Sequence, residues 1–229
     1  MSNAMQMLSF ALSGVLMIGL LVALLVGVRR WSARTVRRRL AERSGPLSAW
    51  GSYHGWVFEP GPRTDVPRMF GTDKPFHTGE VLGFRQHLAR LLLHGRVRTQ
   101  PAMAFELRTR VVAGSRPSIE LNAVVSVRLT LVAPVLAVTP KFWPRQLDES
   151  TPLVQRFFAG YDVRAADPAF RARVLTPGLM AWFVAQLGSA YPPAVRLAGT
   201  TLLCWQTGQI TPAWLDRILP VLSGIVDSL

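Results

Sequence analysis

A chain of 229 residues that is 49% apolar and has a mean hydropathy of +0.25 is long enough to bury a core without metals or disulfides and too apolar to stay unfolded. The lone Cys204 excludes an intramolecular disulfide and any need for an oxidising compartment. The formal charge of +13 comes from 24 arginines and 2 lysines against 13 acidic residues, and seven of the arginines crowd between Arg29 and Arg43.

Leu8 to Val28 holds 21 residues without a charge. At helical rise that run spans about 31 Å, which matches a bilayer's hydrocarbon core and predicts an N-terminal transmembrane helix. A signal peptide places its positive charge before a shorter apolar stretch. Here Met1 to Met7 carries no charge, and Arg29, Arg30, Arg34, Arg37, Arg38, Arg39 and Arg43 follow the span. The positive-inside rule then predicts a single-pass protein of the inner or plasma membrane, with its N-terminus outside and its C-terminal domain in the cytoplasm. Met1 to Ala4 fits either a cloning remnant ahead of a native start at Met5 or native sequence, and the orientation is the same either way.

Trp31 suits the membrane interface. Together with the seven arginines it forms the expected lipid-contact set, acting through charge on anionic head groups. The expected organisation is an anchor over 1–28, a basic juxtamembrane helix over 29–49 and an α+β domain over 50–229. Ser44-Gly45-Pro46 is the expected end of the juxtamembrane helix. The Gly- and Pro-rich stretch through Pro75 reads as loop, tacked to the core by Trp50, Trp56 and Phe58.

Strand signals follow. Ala89 to Val97 is apolar and basic, although Phe84, Leu88, Leu91 and Leu92 also suit a helix. In Ala102 to Val112, Met103, Phe105 and Leu107 lie on one side, with Glu106, Arg108 and Arg110 on the other. A turn at Gly114-Ser115-Arg116-Pro117 leads to Ile119–Val132, where Ile119, Leu121, Ala123, Val125, Val127, Leu129 and Leu131 share a face. A short fourth strand is expected over Val135–Val138. Period-two runs joined by turns predict an antiparallel meander.

The last third predicts helices. Thr151-Pro152, Asp167-Pro168, Thr176-Pro177 and Thr211-Pro212 each place an N-cap residue before a first-turn proline, so helices are expected near 152–158, 168–174, 177–187 and 212–227. Residues 195–204 and 205–210 read as a hairpin with glycines at Gly199 and Gly208. Cys204, within Leu202-Leu203-Cys204-Trp205, is expected to pack as a small hydrophobe. The final helix carries Trp214, Leu215, Ile218, Leu219, Leu222, Ile225 and Val226 on one broad stripe, with Pro220 as a candidate kink.

Phe157-(x)3-Tyr161-Asp162-Val163-(x)3-Asp167-(x)2-Phe170, the helix start Leu175-Thr176-Pro177, the segment Gly199 to Trp205 and the closing amphipathic helix occur here in one order. In that order the chain resembles a group of uncharacterised actinobacterial single-pass membrane proteins with a domain of unknown function. The resemblance covers most of residues 50–229. It implies a fold and assigns no catalytic residue.

The search for chemistry is mostly negative. His54, His77, His87 and His94 form no i, i+4 pair, and Cys204 is far from them in sequence. Asp148-Glu149 suits a helix N-terminus better than a catalytic dyad. There is no GxxxxGK[ST], GxGxxG or GxSxG motif. No metal, no cofactor and no catalytic residue is assigned. Beyond the arginine cluster, residues 44–229 hold 19 basic and 12 acidic side chains, dispersed and without a nucleic-acid motif. A lipid bilayer and a membrane protein partner therefore fit the charge better than nucleic acid. The expected function is a membrane-anchored, non-catalytic binding or scaffold module whose partner is a protein or anionic lipid. The alternative is an enzyme whose groups converge from separate loops, including Asp162, Asp167 and His94.

Overall fold

The computed structural model describes residues 24, 38, 40–68, 85–113, 116–141 and 147–229. The chain divides into two compact units, Met1–Gly45 and Pro46–Leu229. In the first unit residues 24, 38 and 40–45 are helical, Leu24 is exposed, and Arg38 donates to Glu42 at 3.0 Å. Apart from Leu24, the span expected over 8–28 lies outside the described residues. No helix among the described residues is long and apolar enough to cross a membrane.

The second unit is α+β, built on a six-stranded antiparallel sheet. It opens with helix α1 (residues 46–54), strand β1 (Val57–Glu59) and the short helix α2 (Asp65–Arg68). Strands β2 (Arg85–Val97), β3 (Gln100–Ala113) and β4 (Arg116–Pro140) then form the meander. Helix α3 (Leu153–Gly160), strand β5 (Tyr161–Ala165), helices α4 (Pro168–Val174) and α5 (Pro177–Gln186), strand β6 (Ala194–Thr207) and helix α6 (Pro212–Asp227) complete it. The sheet order is β1-β2-β3-β4-β5, and β6 also pairs with β4.

Several expectations need correction. Residues 44–46 are helical, so Ser44-Gly45-Pro46 does not stop a helix. A helical proline forfeits about 3 kcal/mol, and burial of Leu47 and Trp50 on α1 offsets it. Gly51 lets α1 lie close to the sheet: a Cβ there would sit 2.9 Å from Leu93 and 3.0 Å from the Trp56 carbonyl. Trp50 and Trp56 are buried and Phe58 is half-buried, as tacking residues should be. The stretch between them is not all loop, because β1 pairs with β2 and α2 buries Val66.

The separate strands expected over 119–132 and 135–138 are one strand of 25 residues. β3 pairs with β4 over residues 116–127 and β5 pairs over 136–140, while β6 runs along the opposite edge from Asn122 to Val138. Five steps along β4, from Arg128 to Ala133, match two along β6, from Thr201 to Gly199, so residues 129–132 bulge out of the ladder. Gly199, at φ 58, supplies the left-handed backbone on the β6 side. The alternation expected on β4 holds only in part: Ala123, Val125, Val127 and Leu129 are buried, but so is Val124, and Ile119 and Leu131 are exposed. The centre of β4 is covered on both faces.

The expected hairpin over 195–210 is instead the single strand β6, which pairs with β4 throughout, and the sequence reading missed β5. The helices behave better. Asp167, Thr176 and Thr211 cap α4, α5 and α6 by accepting from Ala169, Leu179 and Trp214 N–H groups. Thr151 makes no such cap, because α3 starts one residue later behind Pro152. On α6 the residues Trp214, Leu215, Ile218, Leu222 and Ile225 are buried, and the helix continues through Pro220. The Trp50 indole donates to Asp216 at 2.7 Å, tying α1 to α6.

Candidate functional site

Helices α4, α5 and α6 leave an open groove of about 290 Å³. Val174, at the end of α4, and Ile225, on α6, are both buried and form its floor. Leu179 and Trp182 stand one turn apart on α5, and Val221, Gly224, Ile225 and Ser228 follow the three- and four-residue spacing of one face of α6. Two glycines keep the groove open. A Cβ on Gly224 would meet nothing within 4 Å, and one on Gly178 would meet only the Thr176 hydroxyl at 4.0 Å.

The two hydroxyls at the rim each make a hydrogen bond to their own segment. Thr176 Oγ1 accepts from the Leu179 N–H at 3.3 Å, and Ser228 Oγ donates to the Ile225 carbonyl at 2.7 Å. What remains to a ligand is aliphatic and aromatic surface, with the half-buried Trp182 packed edge-on against Phe183 at 5.1 Å. Aliphatic and aromatic surface of this kind suits apolar chains. Its size lies near the small end of the ~300–1,000 Å³ usual for ligand sites.

A second, polar recess of about 210 Å³ opens between β6 and the start of α6. There the Gln206 Oε1 accepts from Trp214 Nε1 at 2.8 Å and Arg217 Nη2 at 3.0 Å. Cys204, two residues along β6, is fully buried, and desolvation pushes its thiol up to about 12. Burial likewise raises the Tyr161 hydroxyl far above its usual value, and that hydroxyl donates to the Phe183 carbonyl. Both groups are neutral and packed, as expected for Cys204.

The residues singled out in the sequence are dispersed. Of the lipid-contact set, Arg38 is exposed and pairs with Glu42, Arg43 is helical and partly exposed, and Arg29, Arg30, Trp31, Arg34, Arg37 and Arg39 lie outside the described residues. His77 also lies outside them. His54 stacks on Trp50 at 4.4 Å with Asp216 at 3.6 Å, and His87 bonds Thr109. His94 sits on β2, 3.3 Å from Glu59, whereas Asp162 lies on β5 near Lys141 and Asp167 caps α4. Strands β3 and β4 separate β2 from β5, so the structure does not bring His94, Asp162 and Asp167 together. Asp148 and Glu149 are exposed ahead of α3. Among the described residues no group of three His, Cys, Asp or Glu side chains converges to hold a metal.

Sequence reasoning missed the groove. The available signal was the pair Gly178 and Gly224, glycines in otherwise apolar helices, where glycine costs about 1 kcal/mol relative to alanine.

With the geometry in view, the fold has a counterpart. The chain is similar to the crystal structure of the mycobacterial trehalose monomycolate transport factor A, TtfA, with a TM-score of 0.54 and 12% sequence identity, over 81% of this chain and 93% of that one. At that identity the likeness speaks for the fold alone. A mycobacterial neighbour is compatible with the actinobacterial group that the sequence resembles. No family model and no curated protein matches the chain.

Proposed function

We propose that this chain is a membrane-anchored, non-catalytic binding module at the cytoplasmic face, and that its groove receives the hydrocarbon part of a membrane lipid conjugate. The observation that carries the reading is the groove itself: an open, mainly apolar slot between α5 and α6 whose two rim hydroxyls bond to their own backbone. Two further facts support it. The uncharged run Leu8–Val28 followed by seven arginines favours an anchor with the domain inside. The structural neighbour is named for the transport of trehalose monomycolate. An anchor raises the local concentration of bilayer ligands around the domain and removes the need for a deep, high-affinity cavity.

The test is photocrosslinking of the full chain, reconstituted in vesicles, with a lipid carrying a diazirine on its acyl chain. The expected adducts map to peptides containing Leu179, Trp182 or Val221. Adducts confined to residues 8–28 would sink the groove reading. A C-terminal reporter active only outside the cell would sink the orientation.

A further inference from the structure

The end of the sheet formed by the β2–β3 turn and the bulge of β4 carries both exposed apolar side chains and exposed arginines. Val132 is 77% exposed, and its neighbours Leu131 and Val135 are exposed as well. Exposed β-branched and leucine side chains clustered on one protrusion differ from the scattered apolar residues of an ordinary surface. The Gln100 side chain donates to Thr130 at 3.3 Å, which places the bulge beside the β2–β3 turn. That turn carries Arg96 and Arg98, and Arg128 enters the bulge from the other side; all three are exposed. Arg96 donates to the Thr99 carbonyl, and among the described residues Arg98 is the one of the three that pairs with a carboxylate, Asp227, at 2.6 Å.

We infer that this tip docks on an anionic lipid surface, with Leu131 and Val132 entering the interface and Arg96, Arg98 and Arg128 meeting the head groups. Charge complementarity selects the occupant: three exposed arginines share this end of the sheet with the apolar residues, and among the described residues the carboxylate paired with them is Asp227. An added β-strand is disfavoured by the local backbone. Residues 129–132 are out of register with β6, and Pro134 has no N–H to offer a ladder. The site is separate from the arginines of residues 29–43. It rests on the proposed membrane location only in that the tip must be able to reach a bilayer.

The test uses the full chain carrying Val132→Cys labelled with an environment-sensitive fluorophore. Cys204 is buried and stays unlabelled. The labelled chain is mixed with, or reconstituted in, vesicles of phosphatidylcholine alone or with phosphatidylglycerol, each doped with nitroxide-labelled lipid. The expected result is a blue shift and quenching at residue 132 in the anionic vesicles only, with no response from a probe at Val154→Cys on α3. The combined change Arg96→Gln, Arg98→Asn and Arg128→Gln should lower the docked fraction on the order of a hundredfold, whereas Asp227→Asn should raise it. A probe at 132 that stays aqueous in anionic vesicles overturns the proposal. So does equal quenching in neutral vesicles, or a blue shift without lipid that grows with protein concentration, which would point to a protein occupant. Flotation of the chain reports separately on the anchor, so failure of the tip and failure of the anchor are distinguishable.

Discussion

Arg90 on β2 closes on Glu106 of β3 with its Nη2 2.6 Å and its Nε 2.7 Å from one carboxylate oxygen, and Glu106 is fully buried. Two charges so placed have lost most of their water. Their mutual attraction offsets that loss without making the pair a large net stabiliser. Removing one partner takes this ion pair from the other inside the core. Arg90→Met is therefore expected to destabilise the domain by about 3–5 kcal/mol. The double change Arg90→Met with Glu106→Leu should cost clearly less. Chemical denaturation of the wild type, both single variants and the double variant gives the cycle, and additive costs would show that the pair is not coupled.

The Trp56 ring lies directly against Gly95 of β2. A Cβ built on that glycine collides with the indole ring. Trp56 is itself buried, with Gly51 of α1 packed on its carbonyl, so the ring has little room to retreat. Gly95→Ala should cost about 1–3 kcal/mol, the range for overpacking a core. Gly160→Ala also meets a neighbour, the side chain of Leu187, but a half-buried leucine can change rotamer. Its cost should be smaller. Thermal unfolding of the two variants ranks them, and the reverse order would contradict the packing described.

Glu106 also marks the limit of what a sequence pattern can say. Alternation along β3 puts it on the polar side with Arg108 and Arg110, and that side reads as solvent. The prediction of side was sound. The complete burial of Glu106 on that side was not legible, because nothing local to β3 encodes it. The helix starts at Pro168, Pro177 and Pro212 were legible because capping is a local contest settled by one side chain and one proline. The merging of two expected strands into β4 was hidden by Pro134, which reads as punctuation but sits in a bulge where no ladder hydrogen bond is needed. The groove was hidden for a related reason: it exists only where α5 meets α6.

Arg63 bridges Glu59 and Asp65 at 3.0 and 2.6 Å, while its backbone exchanges two hydrogen bonds with Ala89 of β2. Hydrogen bonds from the guanidinium hold the Asp65 carboxyl down at about 2 and also lower Glu59. A depressed folded pKa stabilises above the ordinary value and is lost as the pH falls through the folded one. The clip is thus complete above 3.8, the ordinary aspartate value, and fades towards about 2. Carboxyl carbon shifts followed by NMR should titrate at the lower value in the wild type. In Arg63→Gln they should return to the ordinary range, and an unchanged midpoint would contradict the assignment.

Gly224 gives the groove its sharpest test, because two effects of one position point in opposite directions. It lies within α6, where glycine costs about 0.5–1 kcal/mol relative to alanine through backbone entropy. It also faces open space, so a Cβ added there meets nothing within 4 Å. Gly224→Ala should raise stability by about that amount and leave most of the groove free. Gly224→Leu should retain the helix gain while projecting its side chain into the slot lined by Leu179, Trp182 and Val221. A variant that is at least as stable as the wild type yet loses acyl crosslinking at those residues separates binding from folding, which a groove-wall truncation such as Trp182→Ala cannot do. If Gly224→Leu crosslinks as well as the wild type, the acyl chain does not occupy this groove. If it crosslinks poorly but also unfolds early, the space beside Gly224 is smaller than described, and Gly178→Ala, at the opposite wall, becomes the variant that decides.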